Sequence, residues 1–183
     1  MVTSPGLVQD STVPLSRQEI IVALERLNDE LMRADAKASV YLVGGAVMCI
    51  VLNARESTKD VDAWFSDPSA VRSAARRVAI DLSLPEDWLN DAAKGFVPES
   101  AGFDSWRALS NLEILVADEQ TLFAMKCAAA RTEEDAADIR LLAERLGISS
   151  STEALQAVLR YYPENRLPVR TRLLLEELLD DGH

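Results

Sequence analysis

Asp60-Val-Asp62 heads an alternating run, D-V-D-A-W-F, fifteen residues after a Gly44-Gly45 pair that closes a short apolar segment. No other feature restricts the fold as much. The alternation from Asp60 to Phe65 predicts a half-buried strand, and a strand puts residues two apart on one face. Both carboxylates therefore leave the same side. Ser39 to Val43 reads as a second strand, the glycines as a tight turn, and Ala46 to Leu52 as a buried helix. Two strands joined in this way place a flexible glycine turn within reach of an acid pair.

The flanking sequence supplies the rest of a domain. Ser16-Arg-Gln-Glu19 is a capping box, and Ile20, Leu24, Leu27 and Leu31 follow at helical spacing. Asp67-Pro68 is an N-cap followed by proline at the first helical position, which predicts a helix to about Ile80. Leu84 to Ser105 carries Pro85, Gly95, Pro98 and Gly102 and reads as loops around one short helix at Glu86–Ala93. Trp106–Leu109 and Leu112–Val116 predict a hairpin turning at Ser110-Asn111. From Asp118 the pattern is helical. A capping box at Thr132–Asp135, a stop at Gly147, a cap at Ser150–Glu153 and a last helix at Val169–Leu179 after Pro168 divide it. The organisation expected is a loose arm at 1–15, a core at 16–117 and a helical region at 118–183. The fold class is α+β, a small mixed sheet flanked by helices with a helical C-terminal part.

Composition narrows the chemistry. The only histidine is His183, so histidine catalysis and a zinc site have almost nothing to work with, and a metal must be held by carboxylates. Cys49 and Cys127 lie in apolar helical segments without metal-like spacing and read as buried thiols. With no basic-then-apolar leader and no apolar run long enough for a membrane span, the location expected is cytoplasmic and no membrane partner is expected. The formal net charge of −11 opposes non-specific binding to nucleic acid. Two local clusters, Arg72, Arg76, Arg77 and Arg160, Arg166, Arg170, Arg172, are basic patches or solvated helix faces.

Two carboxylates on one strand face repel unless a cation joins them. Magnesium takes one or two carboxylates together with substrate phosphates, and a glycine turn opening a helix lets backbone N–H groups meet those phosphates. Arg55 and Thr58, just ahead of the acids, could touch phosphate or be exposed loop polarity. Lys126 stands among Leu122, Met125 and Ala129, so it either extends to solvent or pairs with an anion. Asp135 and Asp138 share a helical face with Arg131, although an acid three residues into a helix is also what its dipole favours.

In combination, Gly44-Gly45 and Thr58-Lys-Asp60-Val-Asp62 resemble the polymerase-beta-like nucleotidyltransferase superfamily. The segments Phe123-Ala-Met-Lys126 and Arg131-Thr-Glu-Glu-Asp135-Ala-Ala-Asp138 narrow the likeness to the AbiEii-like toxins of toxin–antitoxin systems, over roughly residues 16–165. Trp88-Leu-Asn90-Asp is similar to a middle motif of one branch of that group. The resemblance implies a sheet of the nucleotidyltransferase type and transfer of a nucleoside monophosphate from an NTP to an acceptor hydroxyl. It assigns a Mg2+ or Mn2+ ion to Asp60 and Asp62, the nucleotide to Gly44, Gly45, Arg55, Thr58 and Lys126, and catalytic support to Lys126, Asp135 and Asp138. Glu113, the one acid well inside a later predicted strand, is either a third metal ligand or a surface glutamate. The acceptor implied is tRNA and the partner an antitoxin protein. The alternatives are an antibiotic-type nucleotidyltransferase acting on a small molecule, and an inactive protein-binding module of the same fold.

Overall fold

A computed structural model describes residues 14–180, excepting the side chains of 132–134. The remaining positions, including most of the arm read at 1–15 and His183, lie outside the described residues. The described chain is mixed α and β.

Ser16 starts helix α1 (Arg17–Arg33) with a complete capping box. Its hydroxyl accepts the Glu19 N–H while the Glu19 carboxylate accepts the Ser16 N–H at 2.8 Å. The four apolar residues that marked this helix are all buried. Leu15 is buried as well. Strand β1 (Leu15–Ser16) pairs antiparallel with the later β3 (Ser57–Thr58), so ordered structure begins ahead of the boundary expected at 16.

Five strands make the main sheet. They are β2 (Ala38–Leu42), β4 (Val61–Phe65), β5 (Leu89–Asn90), β6 (Phe103–Ala108) and β7 (Leu112–Ala117), in the spatial order β5-β4-β2-β7-β6. β2 runs antiparallel to β4 and parallel to β7, and β6–β7 is a hairpin. One face is dry. Val40, Leu42, Val61, Ala63, Phe65, Ile114 and Val116 alternate into it and all are buried. α1 packs on α3 (Pro68–Leu82) and both touch the sheet. Between the two helices Arg77 donates to buried Glu30 at 2.5 Å and, with Arg33, holds that carboxyl below its ordinary range against the cost of burial. On the other face Tyr41, Asp62, Trp64 and Leu115 are only partly covered.

Helix α2 (Gly44–Ile50) follows β2 directly. After β7 the chain is helical: α4 (Glu119–Ala129), α5 (Thr132–Leu146), α6 (Ser151–Leu159) and α7 (Val169–Leu179). Helix α4 packs against α2 and the three later helices. Among the described residues no helix is long and apolar enough to cross a membrane.

Three local expectations are corrected. No helix forms at Glu86–Ala93; the chain makes β5 and then a 3-10 helix at Ala92–Phe96. Trp88 decides this. Its indole is fully buried and donates to Ala75 of α3 at 3.1 Å, which lays Leu89-Asn90 along the edge of β4. β6 begins at Phe103 rather than Trp106, because an irregularity between Ser105 and Arg107 breaks the alternation that would reveal it. The cap of α5 is Arg131, with no side-chain cap bond, and not Thr132. Asp135 thus sits one position deeper than a capping box requires, and it turns to Lys126 instead.

Candidate active site

Gly44 and Gly45 form one wall. Gly44 has a φ of +65°, in the left-handed region that favours glycine. A methyl group placed there would lie 3.5 Å from Oδ2 of Asp62, so the turn and the acid strand are in contact distance. At Gly45 a methyl group would lie 2.7 Å from the Thr58 hydroxyl and 3.8 Å from an Arg55 nitrogen. The glycine pair, the Arg55–Thr58 segment and the acids therefore meet at one place. The Thr58 hydroxyl also donates to the backbone carbonyl of Asp60 at 3.2 Å.

The backbone fixes the acids against this wall, since Val43 N–H donates to the Asp62 carbonyl at 3.0 Å. Burial first, and then the charge of Asp60, push the Asp62 carboxyl up to about 6. The charges of Arg131 and Lys126 pull in the opposite direction. A carboxylate whose hold on a proton is strengthened by a neighbouring carboxylate also gains from a divalent ion between the two. Oxygen donors of this kind fit Mg2+ or Mn2+ with phosphate oxygens completing the shell. Among the described residues no group of three or more such ligands occurs, so these residues offer the pair alone.

Lys126 lies at the end of α4, where the chain stops, passes through a left-handed Ala130 and restarts at Thr132. That break folds α5 back, and Lys126 Nζ lies 2.7 Å from both Asp135 Oδ1 and Asp138 Oδ2. All three side chains are buried. Arg55 closes the group from the loop before β3. Its Nε donates to Asp138 Oδ1 at 3.0 Å, and Nη2 lies 2.5 Å from Oδ2. The contacts at Oδ2 are ion pairs rather than aligned hydrogen bonds. Two cations and two anions thus form a cluster, buried except for the partly exposed Arg55, that ties the loop before β3 to α4 and α5.

Glu113 does not join the site. It is exposed on β7 opposite Ser39, whose hydroxyl donates to it at 3.2 Å. Ser39 is four strand residues from Val43, which is level with Asp62, a separation of about 13 Å at about 3.3 Å per residue. One ion cannot span that gap, and the surface reading of Glu113 holds. The first arginine cluster is no basic patch either: Arg72 pairs with Asp91, Arg76 with Glu86 and Arg77 with Glu30. A surface cavity of about 410 Å³ between α3 and β5 is lined by Arg72, Arg76 and Asp91, but not by Asp60, Asp62 or Lys126.

Asn90 is the site residue whose role the sequence did not reveal. β5 places it in register with Asp62, and its amide donates to Asp60 Oδ2 at 3.0 Å while its own oxygen accepts the Ala92 N–H. Nothing in the spacing of Trp88-Leu-Asn90-Asp announces that contact, because it depends on strand pairing. Comparison of the chain with protein-family models, with curated proteins and with solved structures finds no match.

Proposed function

We propose that the protein is a nucleotidyltransferase that moves a nucleoside monophosphate from an NTP to an acceptor hydroxyl. One observation carries the reading. Three separate segments, Gly44-Gly45, Arg55–Thr58 and Asp60–Asp62, converge on one spot, and Arg55 links it to Lys126 through Asp138. The mixed sheet, with its glycine turn leading to an acid-bearing strand, supports this reading.

In this reading Asp60 and Asp62 hold a Mg2+ or Mn2+ ion, which when bound draws charge from the phosphates. Asn90 and the Thr58 hydroxyl keep the Asp60 segment in place. Gly44 and Gly45 leave room for the phosphates to approach the backbone. The acceptor oxygen bonds to the α-phosphorus, the bond to the β-phosphate oxygen breaks, and pyrophosphate leaves. The hydroxyl proton passes to the carboxylate pair. Lys126 and Arg55, each paired with Asp135 and Asp138, brace the glycine turn and the acid strand from the α4–α5 side; Lys126 is a positioning residue as much as a phosphate ligand.

The resemblance to toxin enzymes favours a tRNA acceptor and an antitoxin partner. A small hydroxylated molecule is the second reading, favoured by the net charge of −11 and by the pairing of Arg72, Arg76 and Arg77 with acids. The test is incubation of the chain with each labelled NTP and Mg2+ or Mn2+, against total RNA and against a panel of small polyols. Label transfer and pyrophosphate release, both lost in Asp60→Asn with Asp62→Asn, are expected. Absence of transfer to either acceptor class, with no pyrophosphate released, would refute the enzyme assignment.

A further inference from the structure

The partly covered face of the sheet carries aromatic side chains beside Asp62. Asp62 and Trp64 alternate onto that face of β4, while Val61, Ala63 and Phe65 turn into the core. Trp64 is in register with Tyr41 of β2, and their rings lie 4.6 Å apart at a tilt of 44°. Phe103 of β6 meets the far edge of Tyr41 at 5.2 Å in a T-shaped contact. Leu115 of β7 is level with Tyr41 and half-buried between these strands. The indole remains 36% exposed although the core directly behind it is dry.

We infer that this Tyr41–Trp64 surface is the platform on which the base of the incoming nucleoside triphosphate stacks. The inference rests on the nucleotidyltransferase reading and names the subsite it lacks. Two strand residues span about 6.6 Å, the order of distance that a ribose puts between a base and its 5′-phosphate. A nucleotide whose phosphates lie between Asp62 and the glycine turn thus brings its base over Trp64. Tyr41, Trp64, Phe103 and Leu115 carry no charge, so this floor suits the π-face of a base and not a phosphate backbone. Stacking tolerates any base, because every base has such a face, and favours the larger purines.

Calorimetric titration separates the two layers of the argument. ATP, GTP, CTP, UTP and inorganic triphosphate are titrated with Mg2+ into the full chain, into Trp64→Ala and into Trp64→Phe. Purine triphosphates should bind the unaltered chain more tightly than inorganic triphosphate. Trp64→Ala should remove that advantage, weakening NTP binding roughly 10-fold or more. Trp64→Phe should keep most of it. Inorganic triphosphate should bind all three alike, which also controls for folding. An unchanged ratio of NTP to triphosphate affinity in Trp64→Ala would overturn the platform while leaving the phosphate site intact. A Trp64→Ala effect confined to the KM of the acceptor would overturn the assignment to the NTP base. Failure of the unaltered chain to bind any triphosphate would overturn the underlying reading together with the platform.

Discussion

Lys126 Nζ lies 2.7 Å from Asp138 Oδ2, twelve residues further along the chain, and the contact closes across the helix break at Ala130. An uninterrupted helix would hold the two about 18 Å apart at 1.5 Å per residue. The lysine is therefore already paired with two buried carboxylates of its own chain. This alters what its removal does. From sequence alone, Lys126→Ala is expected to lower turnover with little effect on folding. With the pairs in place it leaves two buried acids sharing Arg55, which lies 3.7 Å from Asp135, and roughly 3–5 kcal/mol of stability should be lost. The fall in urea midpoint measures this. Lys126→Met combined with Asp138→Asn should recover part of the loss, because the two sites share one network. Additive losses would mean that the lysine and aspartate do not act as a unit.

Asp62 should make stability depend on pH in the opposite sense to an ordinary salt-bridged acid. Its carboxyl is raised from 3.8 to about 6, so between those values the folded chain binds a proton that the unfolded chain has released. Stability contributed by the protonated form is complete below the unfolded value and is lost as pH climbs through about 6. Asp62→Asn should consequently raise the Tm at about pH 8 and leave it nearly unchanged at about pH 3.5. It should also abolish any rise in Tm on adding Mg2+. A lower Tm for Asp62→Asn at the higher pH would contradict this account of the acid pair.

The glycines should fail for different reasons. Gly44→Ala meets its nearest atom at 3.5 Å, so its cost is conformational, roughly 1–2 kcal/mol for a left-handed alanine. Gly45→Ala drives a methyl group to 2.7 Å from the Thr58 hydroxyl and must displace it. Thr58→Ala should rescue Gly45→Ala in folding and should not rescue Gly44→Ala. Tm values for the four variants decide the matter.

Asn90→Ala should lower kcat and raise the Mg2+ concentration needed for half-maximal rate, with the KM for NTP changed less, because the amide holds Asp60 rather than substrate. Asn90→Asp, which replaces a donor with a third negative charge at the pair, should be worse than Asn90→Ala. Equal metal dependence in the original chain and in Asn90→Ala would reduce Asn90 to a structural role.

Most of the helices were legible because their ends carry chemistry: Ser16, Asp67, Gly147, Ser150 and Pro168 mark boundaries that the structure keeps within a residue or two. The meeting of Gly44, Gly45, Arg55, Thr58, Asp60 and Asp62 was legible too, since short connections leave the chain few other routes. What the sequence hid depends on partners far along the chain. Glu113 stood inside a strand as expected, but only the parallel register with β2 shows that it occupies the wrong end. β5 is two residues long and exists because Trp88 is anchored in α3, a contact with no local signature. The grip of Asp138 on Arg55 spans 83 positions and follows from packing, not from spacing.

The small ladder between β1 and β3 ties two otherwise separate fates together. Leu15 faces Thr58 across it, and Thr58 in turn lies against Gly45 and the Asp60 carbonyl. A two-residue ladder is the kind of element that opens locally at little cost. Each opening would release Thr58 from its neighbours and slacken the glycine turn without unfolding the sheet. Amide hydrogens of Leu15 and Thr58 should then exchange with solvent deuterium at matching rates, well ahead of those in β2, and Leu15→Ala should hasten both. The glycine turn would thus breathe with the start of α1, and a change at Leu15 would be felt beside Asp60 and Asp62 without touching either.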